Sequence, residues 1–124
     1  MIYTGLININ LEISTPGVYL LGDVGGSGKT FLANILSDLN DTGEKVAVVT
    51  YKDGKVVVDG NLISADVIMY DRLDLYITSS LAKEIARFGE YKIVLVDLKN
   101  RVRYKESVAR KLSVEIQSDA IRVR

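Results

Sequence analysis

Residues 18–39, VYLLGDVGGSGKTFLANILSDL, decide the fold class of this 124-residue chain. Residues 18–21 form a wholly apolar run, which is typical of a strand buried on both faces of a parallel sheet. Residues 22–28 are too rich in glycine for regular structure, and from Lys29 onward the apolar residues recur at the spacing of one helical face. The stretch therefore predicts a strand, a glycine loop and an amphipathic helix in succession.

The glycine loop carries residue types that bind phosphate. Its glycines let the backbone approach an anion, and successive N–H groups there can form an anion-binding nest. The helix that starts near Lys29 adds its free N–H groups and the positive end of its dipole. Lys29 is expected to reach the β- and γ-phosphates, and the Thr30 hydroxyl to bind Mg²⁺. The predicted nucleotide-binding residues are Gly25, Gly26, Ser27, Gly28, Lys29, Thr30 and Phe31.

Strands and helices are predicted to alternate along the rest of the chain. Apolar runs and period-two patterns indicate strands, whereas apolar residues at helical spacing indicate helices. These patterns predict strands over residues 7–13, 46–51, 67–70 and 92–96, a helix over about 79–88, and a weaker helix over about 101–112. Such alternation favours an α/β fold with a mainly parallel sheet flanked by helices, in a single domain over residues 1–124.

Turn and cap residues refine this fold. Asp53-Gly54 is a strong two-residue hairpin signal, with residues 55–58 returning antiparallel. Ser118-Asp119 predicts a closing hairpin near the end of the chain. Ser79 or Ser80 is expected to cap the helix over 79–88, and Gly89 to end it. Antiparallel hairpins are therefore expected at the edges of the sheet.

Composition excludes several kinds of site. The chain has no cysteine and no histidine, so it can form neither disulfides nor Cys- or His-based metal sites, and it has no histidine general base. No apolar run approaches the roughly 20 residues of a membrane span, and no signal peptide is visible, which favours a cytoplasmic protein. The formal net charge is zero, but residues 99–124 contain eight basic and three acidic residues.

Residues 23–30, DVGGSGKT, resemble the phosphate-binding motif of the P-loop NTPase superfamily, and the wider resemblance covers roughly residues 18–98. One position departs from the family pattern, because Asp23 stands where the family has glycine. The resemblance implies a minimal ATPase core of the additional-strand type, with ATP and Mg²⁺ as cofactors. No Asn-Lys-x-Asp guanine-reading segment is present, which favours ATP over GTP. The first thirty residues also resemble the opening of ABC-type ATPase domains, where an aromatic in the place of Tyr3 stacks on adenine.

The same resemblance implies an aspartate for Mg²⁺ at the end of a neighbouring buried strand. Asp71 and Asp97 both follow such strands. Asp71 is favoured, because it ends the third parallel-type strand, and Lys29 and Asp71 are the expected catalytic residues. Asp97 is the alternative metal ligand.

Turnover is a separate question. The additional-strand division usually has a glutamate directly after the metal-associated aspartate, and Arg72 stands there instead. We therefore expect slow or partner-stimulated ATP hydrolysis. The alternative is a module that senses nucleotide, or serves as a structural interaction module, without hydrolysing it. A small phosphotransferase is less favoured, since the region between the second and third core strands holds only a hairpin.

The basic segment over residues 99–124 has several interpretations. Its first cluster is Lys99, Arg101, Arg103 and Lys105. These side chains could form a solvated helix face, contact phosphates, offer an arginine finger to a neighbouring subunit, or bind nucleic acid. A core of this size has no lid of its own, so we also expect assembly with further copies of the chain or with a partner protein.

Overall fold

A computed structural model of the chain describes residues 2–3, 8–11, 15–21, 45–98, 110–112, 114–116 and 120–123, with side-chain detail for 15–21 and 45–98. Ten strands lie in these ranges: β1 (Ile2–Tyr3), β2 (Asn8–Leu11), β3 (Gly17–Leu21), β4 (Val46–Lys52), β5 (Lys55–Asp59), β6 (Val67–Tyr70), β7 (Ile93–Val96), β8 (Arg110–Leu112), β9 (Val114–Ile116) and β10 (Ala120–Val123). They also hold a short 3₁₀ helix, Leu73–Leu75, and one α-helix, α1 (Ser79–Phe88).

The larger sheet has six strands in the order β5-β4-β6-β7-β3-β8. Every neighbouring pair in it is parallel except β4 and β5. The predicted α/β fold with a mainly parallel sheet is therefore confirmed. In this order β7 lies between β3 and β6, so the end of β7 is closer to the end of β3 than the end of β6 is.

The predicted hairpin after β4 is confirmed. Asp53 has φ 52° and Gly54 has φ 74°. Positive φ at both central residues is the geometry of a type I′ turn, whose twist matches that of the flanking strands. Lys52 pairs with Lys55 across the turn, and β5 forms an edge of the sheet.

A second sheet has the order β1-β2-β10-β9. β9 and β10 pair antiparallel, as the closing hairpin predicted. β2 lies between β1 and β10 and falls within the strand predicted over residues 7–13.

The helix prediction over about 101–112 is wrong at its carboxyl end. Arg110–Leu112 is strand β8, and it pairs parallel with residues 19–21 of β3. This pairing with a strand distant in sequence outweighs the weak helical pattern of the segment, since tertiary pairing routinely overrides local propensity. Residues 101–109 lie outside the described residues.

Helix α1 matches its predicted range, but its cap differs from the prediction. Thr78, rather than Ser79 or Ser80, is the N-cap, and its Oγ1 accepts a hydrogen bond from the Leu81 N–H at 3.1 Å. Gly89 follows the helix as predicted, yet its φ is −63°, so the position does not need glycine for a left-handed turn. A Cβ at Gly89 would lie 2.6 Å from Val18 Cγ2, so glycine is needed there for the close approach of α1 to β3.

The core lies on both faces of the larger sheet. Ile85 and Phe88 of α1 belong to one cluster with alternate strand residues, including Val94 and Ile68. The intervening residues face the other way, and they too are buried, among them Met69. This burial on two faces explains the continuous apolar runs of β6 and β7.

Candidate functional site

Two aspartates lie side by side at the carboxyl edge of the larger sheet. Leu20, Val96 and Tyr70 are in register on β3, β7 and β6. Asp97 and Asp71 are the next residues after Val96 and Tyr70. The Asp97 N–H donates to the Tyr70 carbonyl at 3.0 Å, and the Asp71 N–H to the Val49 carbonyl at 2.8 Å, so the strand pairing continues through both residues.

The strand order sets the distance of each aspartate from β3. Neighbouring strands lie about 4.8 Å apart, so Asp97 is offset from the end of β3 by about 5 Å and Asp71 by about 10 Å. The chain leaves β3 at Leu21 on this same edge. Ligands of open α/β sheets bind outside the carboxyl ends of the strands, so this edge is the candidate site.

Both aspartates are nearly enclosed. Asp71 is 8% exposed and Asp97 is 5% exposed. Burial of carboxylates is costly unless hydrogen bonds or cations compensate, which makes such a pair a functional candidate rather than ordinary surface charge.

Backbone hydrogen bonds link the ends of β6 and β7. The Leu73 N–H donates to the Asp97 carbonyl at 2.8 Å. The Arg72 N–H donates to Asp97 Oδ2 at 3.4 Å. The turn after β6 therefore holds the Asp97 carboxylate in place beside the end of β6.

Arg72 itself adopts an unusual backbone conformation, with φ 49° and ψ 51°. Residues other than glycine rarely occupy this left-handed region. Such conformations concentrate at functional sites, where the surrounding structure maintains them. The Arg72 side chain is exposed. The residue that directly follows Asp71 is therefore a cation and not a carboxylate.

Tyr76 connects the turn after β6 to the backbone of β4. Its hydroxyl lies 2.9 Å from the Asp71 carbonyl oxygen and 3.2 Å from the Val49 carbonyl oxygen, either of which accepts its proton. Its ring stacks on Tyr51 with centroids 5.7 Å apart. Burial, and secondarily the negative charge of Asp71, raise the pKa of Tyr76 above its ordinary value. Tyr76 is therefore a neutral donor at physiological pH.

Tyr76 is the member of this region that sequence reasoning missed. Its role depends on contacts with β4, more than twenty residues away, and no local pattern around Tyr76 reports them. A tyrosine soon after a strand-ending aspartate is too common to serve as a signal.

Several predicted site residues lie outside the described residues. They include all the predicted nucleotide-binding residues over 25–31, among them Lys29 and Thr30, and also Asp23 and the basic cluster at 99–105. Tyr3 is described only in its backbone, where it pairs with Ile9 in the second sheet. Its predicted contact with adenine stays a prediction.

The donor set at the edge fits Mg²⁺ that arrives with a nucleotide. Mg²⁺ commonly binds one or two carboxylates together with phosphate oxygens and water, rather than a cage made wholly of protein. Within the described ranges, no group of three or more His, Cys, Asp or Glu side chains could hold a metal ion. Two carboxylates at this edge are compatible with an ion that is also held by phosphate oxygens and water.

None of the helices in the described part of the chain is both long enough and apolar enough to cross a membrane. No family model, curated protein or solved structure matches the chain.

Proposed function

We propose that this chain binds ATP with Mg²⁺ through residues 25–31 and hydrolyses it slowly or only when a partner stimulates it. One observation supports this most strongly. The chain leaves β3 toward the glycine-rich residues at the same sheet edge where Asp97 and Asp71 follow β7 and β6.

The strand order agrees with the resemblance of the loop sequence. In the additional-strand division of P-loop proteins, as its name says, the sheet carries an added strand. Here β7 is inserted between β3, which leads into the loop, and β6, which leads into Asp71. This inserted strand supports the proposal, since an added strand is the feature that gives the division its name.

Chain connectivity limits how far the first residues of the loop can lie from the end of β3. Gly25 is four residues beyond Leu21, and an extended chain advances at most about 3.6 Å per residue, so Gly25 lies within about 14 Å of the end of β3. Asp97 and Asp71 are offset by about 5 and 10 Å along the same edge. This reach allows a triphosphate bound by residues 25–31 and an Mg²⁺ ion held near the aspartates to share one site.

The proposed roles follow from chemistry. Lys29 offsets the charge of the phosphates, and the loop N–H groups donate hydrogen bonds to them. The Thr30 hydroxyl and Asp71 would bind Mg²⁺. Asp97 is the alternative ligand, and its position beside β3 supports that alternative. When bound, Mg²⁺ draws negative charge from the phosphate oxygens.

Titration calorimetry tests binding. ATP and GTP are titrated, with and without Mg²⁺, into the parent chain, Lys29→Ala and the control Lys45→Ala. Lys45 is exposed and directly precedes β4, so it lies at the amino end of that strand, away from the candidate site at the carboxyl ends. We expect Mg²⁺-dependent binding of ATP that Lys29→Ala abolishes and Lys45→Ala retains. Equal binding by both variants, or no binding by the parent chain, contradicts the proposal.

Arg72 supports a second candidate, a module that binds nucleotide and does not turn it over. The residue after Asp71 is cationic, exposed and left-handed, and it offers no carboxylate to orient a water molecule. Steady-state phosphate release distinguishes the two functions. A rate above about 1 s⁻¹ for the isolated chain would contradict slow hydrolysis. Release that stays at the buffer level with every nucleic acid and partner tested favours the non-hydrolysing module.

A further inference from the structure

The outer strand β5 exposes an apolar surface that the nucleotide site does not explain. Val56, Val57 and Val58 are 51%, 41% and 44% exposed, and β5 stands at the end of the sheet order. Edge strands in proteins are usually protected by charges, prolines or bulges, because their unpaired N–H and C=O groups can pair with another chain. Three consecutive valines are the opposite of such protection.

The hairpin turn determines which backbone groups of β5 face outward. In a two-residue hairpin the flanking residues, here Lys52 and Lys55, exchange both hydrogen bonds, and hydrogen-bonded pairs then alternate along the ladder. Val57 and Asp59 therefore point their N–H and C=O groups toward β4. Val56 and Val58 point theirs away from the sheet, and these four groups form the outer edge.

The sequence of β5 is complementary to itself when it runs antiparallel. In KVVVD, a two-fold axis through Val57 places Lys55 opposite Asp59 of a second copy and Val56 opposite Val58. The four outward N–H and C=O groups of one copy then meet those of the other in hydrogen-bonded pairs. Both the charges and the backbone pattern fit this single register.

We propose that two copies of this chain associate through their β5 strands, antiparallel and centred on Val57. The pairing joins two six-stranded sheets into one and gives a closed, isologous dimer. On one face, Val56 and Val58 of each copy form a four-residue apolar cluster. On the other, Val57 meets its counterpart at the axis, between two Lys55–Asp59 pairs. The proposal does not depend on nucleotide binding.

Sedimentation velocity over a series of protein concentrations tests this register. The β5 variants are Lys55→Glu and Asp59→Lys. The control is Lys83→Glu, which makes the same charge change as Lys55→Glu at an exposed position of α1. Lys55→Glu leaves a favourable neighbour for its own hairpin, since it pairs with Lys52 there. The fold is checked for each variant by circular dichroism.

We expect the parent chain and Lys83→Glu to dimerise reversibly. Each β5 variant alone places like charges opposite each other twice, which should raise the dimer dissociation constant about tenfold or more. An equimolar mixture of Lys55→Glu and Asp59→Lys restores opposite charges at both places, so the mixture should dimerise more tightly than either variant alone. A parent chain that is monomeric at every concentration overturns the proposal. So do dimers insensitive to both variants, larger open-ended species, and a mixture that stays monomeric.

Discussion

Lys92 provides the most quantitative test of the packing that positions the site. It is 6% exposed, although it is a lysine. Its amine donates to the Ile63 carbonyl at 2.8 Å and to the buried Ala65 carbonyl. The segment it binds leads into β6, and Lys92 itself leads into β7. The side chain therefore links the amino ends of β6 and β7. The carboxyl ends of the same strands are followed by Asp71 and Asp97.

We expect Lys92→Met to destabilise the protein by about 2 kcal/mol. A hydrogen bond to a charged group contributes about 1.5–3 kcal/mol, and a buried carbonyl that loses its donor costs about 1–3 kcal/mol. Methionine keeps most of the apolar stem, and loss of the ammonium also removes the cost of burying it. The net is therefore smaller than the sum of the two lost bonds.

Urea denaturation of the parent chain, Lys92→Met and Lys83→Met measures this effect. Lys83 is exposed on α1, so its replacement should change stability by less than about 0.5 kcal/mol. The unfolding midpoint should fall for Lys92→Met at an unchanged slope. A loss for Lys92→Met no larger than that of the control would show that the amine contributes no net stabilisation, contrary to this prediction.

Three further predictions concern the site and its support. Asp71→Asn should weaken Mg²⁺-dependent ATP binding in calorimetry more than Asp97→Asn does, and the reverse order would assign the ion to Asp97. Gly89→Ala should lower the free energy of unfolding by about 1–3 kcal/mol in urea, because its Cβ would lie 2.6 Å from Val18 Cγ2; parent-like stability would show that the contact relaxes freely. The raised pKa of Tyr76 implies that the folded state keeps its phenol protonated while the unfolded state loses that proton, so stability should fall as pH rises above about 10. The urea midpoint should fall less steeply with rising pH for Tyr76→Phe than for the parent chain. An equal pH dependence in both proteins would show that Tyr76 does not cause the fall.

Local chemistry was sufficient to predict many elements. Asp53-Gly54 specifies a hairpin because both residues tolerate positive φ, and the structure has that turn. The apolar run of residues 67–70 predicts a strand buried on both faces, and all four residues of β6 are buried. The positions of Asp71 and Asp97 at strand ends follow from the same runs.

Features that depend on distant partners could not be predicted in this way. β8 pairs with β3 across some ninety residues of sequence, and its short Arg-Lys-Leu segment has no strand pattern of its own. Thr78 rather than a neighbouring serine caps α1, since similar hydroxyl residues in a row leave the choice to the backbone path. The insertion of β7 between β3 and β6 is likewise a property of the whole sheet, and so is the spacing of the two aspartates.

Residue-level NMR shows whether residues 25–31 and the two aspartates respond to nucleotide, and a 13.7 kDa chain is well suited to it. Amide ¹H–¹⁵N spectra are recorded while a non-hydrolysable ATP analogue is titrated in the presence of Mg²⁺. We expect the largest shift changes at residues 25–31, accompanied by changes at Asp71 and Asp97 that need Mg²⁺. Saturable changes confined to other parts of the chain, or no changes at all, would contradict this expectation.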